Sequence, residues 1–453
     1  MPSGVIDSVL LENNWGTPEI RRIFCDENRV QKWLDVEVAL AQVQAELGLI
    51  PAEAAAEIAT KARVENIDLR RVAEGIAKTR HPLVPVLQEL RRQCAPELGE
   101  YIHLGPTTQD IIDTGMVLQL REAHNVFLRD LRAVARSLYR LADQHRETVM
   151  AGRTHGIQAL PTTFGLKCAT WLQECGRHIQ RMQEVEPRLF VGCLFGAVGT
   201  RASFEGKGAV IESLVMKRLG LGSPGLCWHS SRDRFCEYAS ILGLIAGTLA
   251  KIANEIFNLQ RVEIGEVEEP FTVGKVGSST MPHKRNPAVV ENVITLGRSV
   301  RYQVGVMFEC LIQEHERDSA AWKTEWKALP EICINVAAML DQMNFVLKGL
   351  IVHADRMRRN LDLLGGHLLS ERVMLALAPH LGKMTAHDVV YAASMRGQEQ
   401  NRPLGECLLE DPRVAEVLSR ADLEALLDPS TYVGDAPTLV ANALAEAEAQ
   451  GWV

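Results

Sequence analysis

Apolar residues recur at spacings near 3.6 over stretches much longer than an ordinary globular helix, and this pattern limits the chain to a helical fold. Strand signals are weak, because no alternating run of apolar and polar residues is bounded by an Asn-Gly or Asp-Gly turn. We therefore predict an all-α protein. The predicted helices span residues 30–47, 113–145, 163–184, 230–267, 292–313 and 332–358.

Residues 240–249 are apolar on nearly every face of their predicted helix. Such a helix must be covered on all sides, either within a large bundle or by a partner subunit. We predict a long central helix bundle over residues 111–352, a helical N-terminal domain (1–110) and a helical C-terminal domain (353–453). A monomeric array of helices is the alternative, and oligomerisation is favoured over it.

The charge balance and the cysteine distribution argue against several classes of protein. The chain has 49 Lys and Arg against 57 Asp and Glu, so its net charge of −8 argues against nucleic-acid binding. Its longest apolar run, residues 239–250, is shorter than the ~20 residues that span a bilayer, and residues 1–14 lack the features of a signal peptide. Ten scattered cysteines form no Cys-x-x-Cys pair and no Cys/His group at zinc-ligand spacing. We expect a cytoplasmic protein with reduced cysteines and with no metal, no nucleic-acid partner and no membrane association.

Residues 271–287, FTVGKVGSSTMPHKRNP, interrupt the helical pattern. Glycine allows backbone N–H groups to converge on an anion, and the basic side chains add positive charge for a carboxylate or a phosphate. The segment is not a phosphate-binding P-loop, because the spacing G-x-x-x-x-G-K-[ST] is absent. A solvated connector is the alternative interpretation.

Residues 277–287 of this segment, GSSTMPHKRNP, resemble the signature Gly-Ser-Ser-x-Met-Pro-x-Lys-x-Asn-Pro of the fumarase/aspartase superfamily. Every fixed position is matched, and other segments resemble the branch that holds adenylosuccinate lyases and 3-carboxy-cis,cis-muconate cycloisomerases. The resemblance implies a cofactor-free, three-domain homotetramer with a twenty-helix core and active sites built from three subunits. It also implies a small dicarboxylate substrate.

In this superfamily a serine of the loop acts as general base and removes a proton from the carbon beside a carboxylate. The resemblance assigns that role to Ser278, with Ser279 as its neighbour, and leaves open which of the two is the base. Fixed hydrogen-bond donors that favour an alkoxide would support such a base. Lys284 and Asn286 match family positions that bind the substrate carboxylate, where preorganised donors must meet developing negative charge.

His155 lies in the segment 152–163, which resembles the Thr-His-Gly-x-x-Ala-x-Pro segment of adenylosuccinate lyases. The resemblance makes His155 the general acid for the leaving group, a role that suits an imidazole of pKa about 6.5, and places Gln158 near a substrate oxygen. A lone histidine in a loop is otherwise more often a surface or capping residue, and threonines before a helix are often simple caps. The resemblance implies further substrate-binding residues at Arg80, His81, His103, Thr107, Thr108 and Arg317.

The residues that follow the Glu-Arg-Asp motif at 316–318 distinguish the branches of the family. Adenylosuccinate lyases continue with a Ser-Ser pair and then an Arg that hold the nucleotide phosphate, whereas this chain has Trp322, Lys323 and Trp326 there. Without those partners a phosphate dianion is poorly paired, which weakens its binding. Adenylosuccinate is therefore disfavoured as a substrate, and we expect Trp322 and Trp326 to contact a bulky or apolar substituent.

After this comparison, two activities are supported almost equally by the sequence. The Trp-x-x-Glu-Trp pattern resembles bacterial cycloisomerases, which close a lactone ring, but those enzymes often carry another residue where His155 stands. An enzyme that expels an amine or an alkoxide needs an acid there. We therefore place β-elimination from a succinyl-type substrate, with C–N or C–O cleavage and release of fumarate, slightly ahead of cycloisomerase activity. A catalytically inactive helical scaffold is a third alternative, against which the intact Ser278, His155 and Lys284 argue.

Overall fold

The computed structural model describes residues 4–271, 278 and 280–453, and α-helix is the dominant element among them. The α-helices are α1 (Pro18–Phe24), α2 (Asp26–Glu46), α3 (Ala52–Lys61), α4 (Leu69–Thr79), α5 (Val84–Gln93), α6 (Thr108–Gln144), α7 (Phe164–Leu189), α8 (Gly208–Leu219), α9 (Asp233–Leu259), α10 (Ala288–Glu309), α11 (Ser319–Lys348), α12 (Ala354–Leu361), α13 (Ser370–Leu381), α14 (Lys383–Gln400), α15 (Leu404–Leu409), α16 (Pro412–Ala415), α17 (Arg420–Leu426) and α18 (Ala436–Ala449). Short 3₁₀ helices span Val64–Asn66, Gly99–Tyr101, Ala202–Phe204, His367–Leu369 and Pro429–Thr431.

Two small antiparallel strand pairs lie between the helices of the described chain. The strands are β1 (Val149–Thr154), β2 (Ile157–Thr163), β3 (Val267–Glu268) and β4 (Ile351–Val352). β1 pairs with β2, with an irregularity between Ala151 and Arg153, and β3 pairs with β4. The all-α prediction is therefore confirmed for the fold as a whole, with a hairpin where a loop was expected at 152–163.

The chain forms two compact units. The first comprises Met1–Leu131, His178–Ala250 and Asn292–Gln342, and the second comprises Arg132–Arg177, Lys251–Glu291 and Met343–Val453. The divisions fall within the long helices α6, α7, α9, α10 and α11. The division into domains 1–110, 111–352 and 353–453 stays a prediction.

Each unit has its own apolar core. In the first unit the fully buried aromatic rings of Phe127, Trp228 and Phe235 pack among aliphatic side chains, and Trp228 meets Phe235 edge-on with ring centroids 5.4 Å apart. In the second unit, Val373 and Leu377 of α13 share a cluster with buried residues of α14 and α15. Burial of this aliphatic surface is the main favourable term in folding.

The end of α9 differs from the sequence-based expectation. The predicted helix continued to residue 267, but α9 ends at Leu259. The chain turns after it, where Gly265 has a φ of 62° and Arg356 of α12 donates from Nε to the Ile264 carbonyl at 3.0 Å. This contact comes from a distant part of the sequence, so the local apolar pattern does not reveal it.

The start of α11 also differs from expectation. The helix begins at Ser319 rather than near 332, because the Asp318 carboxylate accepts the N–H groups of Ala320 and Ala321 at 2.8 and 3.3 Å. An acidic residue at this position caps the helix and satisfies two of its free donors. Trp322 and Trp326 therefore lie in the first turns of a helix and not in a loop.

By length and composition alone, α9 is apolar enough to cross a membrane, with 67% of its most apolar window buried inside the protein. Ile245, Leu249 and Ile252 on this helix are fully buried. These residues belong to a packed helical core, whereas Leu244 on the same helix is 52% exposed, so packing within the chain accounts for only part of the all-round apolar pattern found in the sequence.

Candidate active site

Thr107 and Thr108 lie at the N-terminal end of α6, where Asp110 accepts the Thr107 N–H at 2.9 Å. Arg317 donates from Nη1 to Thr107 Oγ1 at 2.6 Å, and His81 Nε2 lies 3.1 Å from Thr108 Oγ1. The first unit thus brings together four of the residues that the sequence assigned to substrate binding.

The hydrogen bonds of His81 determine which of its nitrogens is the donor. Its Nδ1 accepts the Val84 N–H at 3.2 Å, so the neutral ring carries its hydrogen on Nε2 and donates it to Thr108. Burial, together with the charges of His103 and Arg317, lowers the pKa of His81 and keeps the ring neutral. Each threonine hydroxyl therefore accepts from a protein donor and retains its own hydrogen. With the positive end of the α6 dipole beside them, these hydroxyls can bind a carboxylate.

Arg80 and His103 flank this cluster in the sequence, and both have positive φ angles, 57° and 61°. Arg80 ends α4 as a left-handed cap whose N–H donates to the Ile76 carbonyl at 2.8 Å, and its side chain is exposed. His103 Nδ1 lies 2.6 Å from the Glu37 carboxylate. Burial opposes protonation of His103, but the charge and the hydrogen bond of Glu37 outweigh it and raise the pKa of the imidazole.

A buried ionic network lies one turn further along α6. Arg232 donates to the Asp113 carboxylate at 2.7 Å and from Nε to the Glu325 carboxylate at 2.8 Å. The indole N–H of Trp322 donates to Asp113 at 2.8 Å, and only 6% of Trp322 is exposed. Burial raises the pKa of Glu325, although Arg232 acts against this shift. Trp322 therefore packs inside this network and its polar atom is already used.

Trp326 faces a cavity of about 620 Å³ in the first unit. Pro82 and Ile112 also line it; they follow His81 by one residue and Thr108 by about one helical turn, but His81 and the two threonines are not among the lining residues. The Trp326 indole N–H is buried and has no hydrogen-bond partner among the described residues. Most other lining side chains are apolar, including Val30, Trp33, Val72 and Met116, with charged Asp26, Glu27, Arg29 and Arg70 beside them.

Ser278 is half-buried in the second unit, and its Oγ accepts the N–H groups of Thr280 at 3.3 Å and Met281 at 3.0 Å. Two backbone donors on one oxygen favour its anionic form. Lys284 is exposed and Asn286 is half-buried on the same segment. Ser279 lies outside the described residues.

Glu269 holds together the two ends of the segment that carries Ser278. Its buried carboxylate accepts the N–H groups of Val289 and Val290 at 3.1 Å each, and its own N–H donates to Gln260 at 2.9 Å. A carboxylate at this position satisfies the first N–H groups of α10 and interacts favourably with the helix dipole. The residue that precedes the segment and the residues that follow it are therefore fixed to one another.

His155 and Gly156 form the two-residue turn between β1 and β2. Both have positive φ angles, 54° and 80°, as a type I′ hairpin turn requires. This turn places the exposed His155 imidazole at the tip of the hairpin. On β2, Gln158 donates its amide N–H to the Asn360 carbonyl at 3.0 Å, and its amide oxygen is buried without a partner among the described residues.

Several buried polar residues around the threonines had no recognised role in the sequence. Asp110 accepts N–H groups from Phe195 at 2.9 Å and Gly196 at 2.8 Å, in addition to that of Thr107. Its position three residues after Thr107 is the one local signal, because an acidic residue there commonly caps a helix. No local sequence pattern pointed to Asp113, Arg232 and Glu325, because they lie in three segments that are far apart in the sequence. Cys193, Cys227 and His229 also gave no signal, because Cys193 is far in the sequence from the other two; their potential ligand atoms lie within 4.8 Å of one another.

Comparisons with known proteins cover almost the whole chain. Residues 13–301 match the family described as Lyase, and residues 366–443 match the family described as Adenylosuccinate lyase C-terminus.

The N-acetyl-S-(2-succino)cysteine lyase of Dickeya dadantii (strain 3937) is 48% identical over 451 residues, covering 100% of this chain and 99% of the relative. The enzyme of the same name from Enterococcus italicus is 48% identical over 453 residues, with the same coverage. The 3-carboxy-cis,cis-muconate lactonizing enzyme of Pseudomonas putida has a similar structure, with a TM-score of 0.94, 39% identity and coverage of 98% of this chain and 100% of that chain.

Proposed function

Since the chain belongs to the fumarase/aspartase superfamily of lyases, we propose that it releases fumarate from an S-(2-succino)cysteine whose amino group is acylated. The two relatives that share 48% of their residues with this chain over its full length carry that substrate in their names. The sequence favoured an elimination that breaks a C–N or C–O bond. The names of the relatives lead us to propose cleavage of a C–S bond instead, by the same β-elimination.

The proposed reaction uses two groups on separate elements, Ser278 and His155. Ser278 Oγ takes the proton from the succinyl carbon beside the carboxylate, and the electron pair of the C–H bond becomes the second bond of fumarate. The C–S bond breaks, and the sulfur leaves with its electron pair. His155 at the hairpin tip supplies the proton that converts the thiolate into a thiol. The two N–H donors on Ser278 Oγ support the role of base.

The substrate carboxylates need fixed donors in this scheme, because proton removal places a second negative charge on one of them. We assign Thr107, Thr108 and Arg317 to one carboxylate, since both hydroxyls keep a hydrogen to donate. Lys284 and Asn286 bind the other by analogy with the family. His81 holds Thr108 in the donating orientation.

The environment of Trp322 and Trp326 is the observation that supports an uncharged acyl group on the leaving group. Adenylosuccinate lyases use the matching positions to bind a phosphate, but here Trp322 is bonded to Asp113 and Trp326 lines a largely apolar cavity. An uncharged acyl group fits such a cavity better than a phosphate dianion does. The indole N–H of Trp326 is buried, so this residue would meet the acyl group through its ring.

We also propose that the active form is a cytoplasmic homotetramer with active sites shared between subunits. In the first unit, Leu244, Tyr302, Phe308 and Ile312 are large apolar residues that are at least half exposed. Exposed apolar side chains on long core helices are typical of a surface that another subunit covers. All ten cysteines are free, which suits a reducing compartment.

The test is a comparison of substrates with the purified protein, following fumarate by its absorbance. We expect turnover of N-acetyl-S-(2-succino)cysteine with a higher kcat/KM than that of the same compound without the acetyl group. Adenylosuccinate should be a poor substrate. The similarity to the lactonizing enzyme makes 3-carboxy-cis,cis-muconate the proper rival substrate. Efficient lactone formation from it, without cleavage of the thioether, would replace the proposal by cycloisomerase activity.

A further inference from the structure

Two cysteines and a histidine meet in the first unit and have no part in the proposed reaction. Cys193 lies in the segment after α7, and Cys227 and His229 lie just before α9. Cys193 and His229 are buried, while Cys227 is half-buried. The two sulfur atoms and one ring nitrogen lie within 4.8 Å of one another.

The orientation of His229 is set by Asp110. The carboxylate of Asp110 lies 2.9 Å from His229 Nε2, and it also accepts three backbone N–H groups. A carboxylate with these partners acts as acceptor, so Nε2 carries the ring hydrogen. Burial lowers the pKa of His229, but the hydrogen bonds and charges of Asp110 and Cys227 outweigh it and raise the pKa to about 9, so Nδ1 also carries a hydrogen until an ion displaces it. The Nδ1 lone pair that is then freed points away from Asp110. A carboxylate behind a histidine in this way is typical of histidines that bind metal ions.

The two segments are already held together without an ion. The Trp228 indole N–H, between Cys227 and His229 in the sequence, donates to the Gly192 carbonyl at 2.8 Å. Beside it, the Cys193 N–H donates to the Thr114 hydroxyl at 2.9 Å, and this hydroxyl donates back to the Cys193 carbonyl at 3.0 Å. The backbone therefore holds both cysteines near the histidine before any ligand arrives.

We propose that Cys193, Cys227 and His229 form a binding site for a thiophilic divalent cation, of which Zn²⁺ is the best match. Two thiolates and one imidazole are ligands that zinc prefers, and Zn–S and Zn–N bonds of about 2.3 and 2.0 Å would place ligand atoms about 3.4–3.8 Å apart. The ligand atoms lie within 4.8 Å of one another, so a contraction of at most about 1.4 Å brings them to those separations. The three ligands together release two protons on binding, and the two thiolates balance the charge of the ion.

The fourth position of the ion would be filled from solvent. Cys227 lines a cavity of about 560 Å³ together with Ser231 and Arg234, which provides a path for the ion and room for a water ligand. The ion would tie the segment around Cys193 to that around Cys227. Through His229 and Asp110 it would also stabilise the turn that presents Thr107 and Thr108.

The test measures metal binding directly and does not depend on the lyase substrate. The full-length protein is reduced, freed of reductant and chelator, and titrated with Co²⁺ and then with Zn²⁺. We expect one equivalent of Co²⁺ per chain, a thiolate-to-cobalt charge-transfer band with the visible bands of a tetrahedral ion, and displacement by Zn²⁺. Metal analysis of the Zn²⁺-loaded protein should also give one equivalent.

Cys227→Ser should weaken binding by at least about 100-fold, because it removes a direct ligand. Cys25→Ser is the matched control, since Cys25 is also half-buried but lies at the start of α2. Cys193→Ala gives a second test if its circular dichroism matches that of the wild type. Absence of stoichiometric metal, unchanged binding in both cluster variants, or a Cys193–Cys227 disulfide that persists in the reduced preparation would overturn the proposal.

Discussion

Arg317 donates from Nη1 to Thr107 Oγ1 at 2.6 Å and so connects the segment before α11 to the N-terminal end of α6. The same guanidinium also lies within 3.4 Å of the Ala197 carbonyl. A cation held in this way adds charge beside two hydroxyls that keep their hydrogens. Arg317, Thr107 and Thr108 form an anion site whose hydrogen-bond donors are already in place. A carboxylate that gains negative charge during the reaction requires such preorganised donors.

Arg317→Ala should therefore lower kcat/KM by about 10- to 150-fold, because a hydrogen bond from a charged donor contributes about 1.5–3 kcal/mol. Steady-state kinetics on the preferred thioether measures this loss. Arg413→Ala is the control, since Arg413 is an exposed arginine paired with Asp411. Equal kinetics of Arg317→Ala and the wild type would remove Arg317 from the site.

Ser278→Ala should lower kcat by about 10²–10⁴-fold, the usual contribution of a general base. The serine oxygen is the only atom removed, so the fold and the binding of substrate should change little. The loss should persist at high substrate concentration, which stopped-flow measurement of fumarate release checks. Ser430→Ala, an exposed serine in the second unit, should keep full activity. If Ser278→Ala is active, the base must be sought elsewhere, first at Ser279.

The role of His155 can be tested with leaving groups of different basicity. An alkylthiolate needs a proton as it leaves, whereas an arylthiolate of low pKa leaves without help. His155→Gln should slow S-succinyl alkylthiols by about 10-fold or more and leave S-succinyl arylthiols nearly unaffected. His387→Gln, at an exposed histidine, is the control. An equal loss with all leaving groups would assign His155 to a role other than that of the acid.

The pair formed by His103 and Glu37 should make stability depend on pH. Because Glu37 raises the pKa of His103 in the folded state, the pair stabilises the protein fully below the unfolded pKa of about 6.5. That stabilisation is lost as the pH rises through the folded pKa. The difference in Tm between the wild type and Glu37→Gln should therefore be largest near pH 6 and shrink toward pH 9. Glu53→Gln, at an exposed position on α3, should show a constant difference, and a constant difference for Glu37→Gln would contradict the pairing.

Helices could be predicted from the sequence wherever local signals determine them. The long apolar periods located α6 and α7 to within a few residues, because packing of one apolar stripe governs the whole helix. The start of α11 at Asp318 and the end of α9 beside Arg356 were missed. The first depends on a cap inside a charged run, and the second on a contact from a remote segment.

The hairpin at His155 was predicted as a loop for a related reason. Its turn is His-Gly rather than Asn-Gly or Asp-Gly, and the irregularity near Ala151 disturbs the alternation of its strands. Within the site, the residues of short motifs could be assigned from resemblance, and four of them do meet. Arg232, Asp113 and Glu325 could not be assigned in this way, because a single sequence contains no pattern that shows which distant charged residues will be buried together.

The hydrogen bonds of Glu269 with Gln260 and with the first turn of α10 connect the two ends of the segment that carries Ser278. They bear on two properties of the protein, the chemistry of this segment and the stability of α10. Since Gln260, Glu269 and the first turn of α10 hold one another, part of the support for the start of this helix comes from residues outside the described segment 280–287. Substitution of an exposed side chain there, such as that of Lys284, should then leave the neighbouring helix folded. The chemistry of the segment and the stability of the helix behind it can therefore be examined separately by mutation.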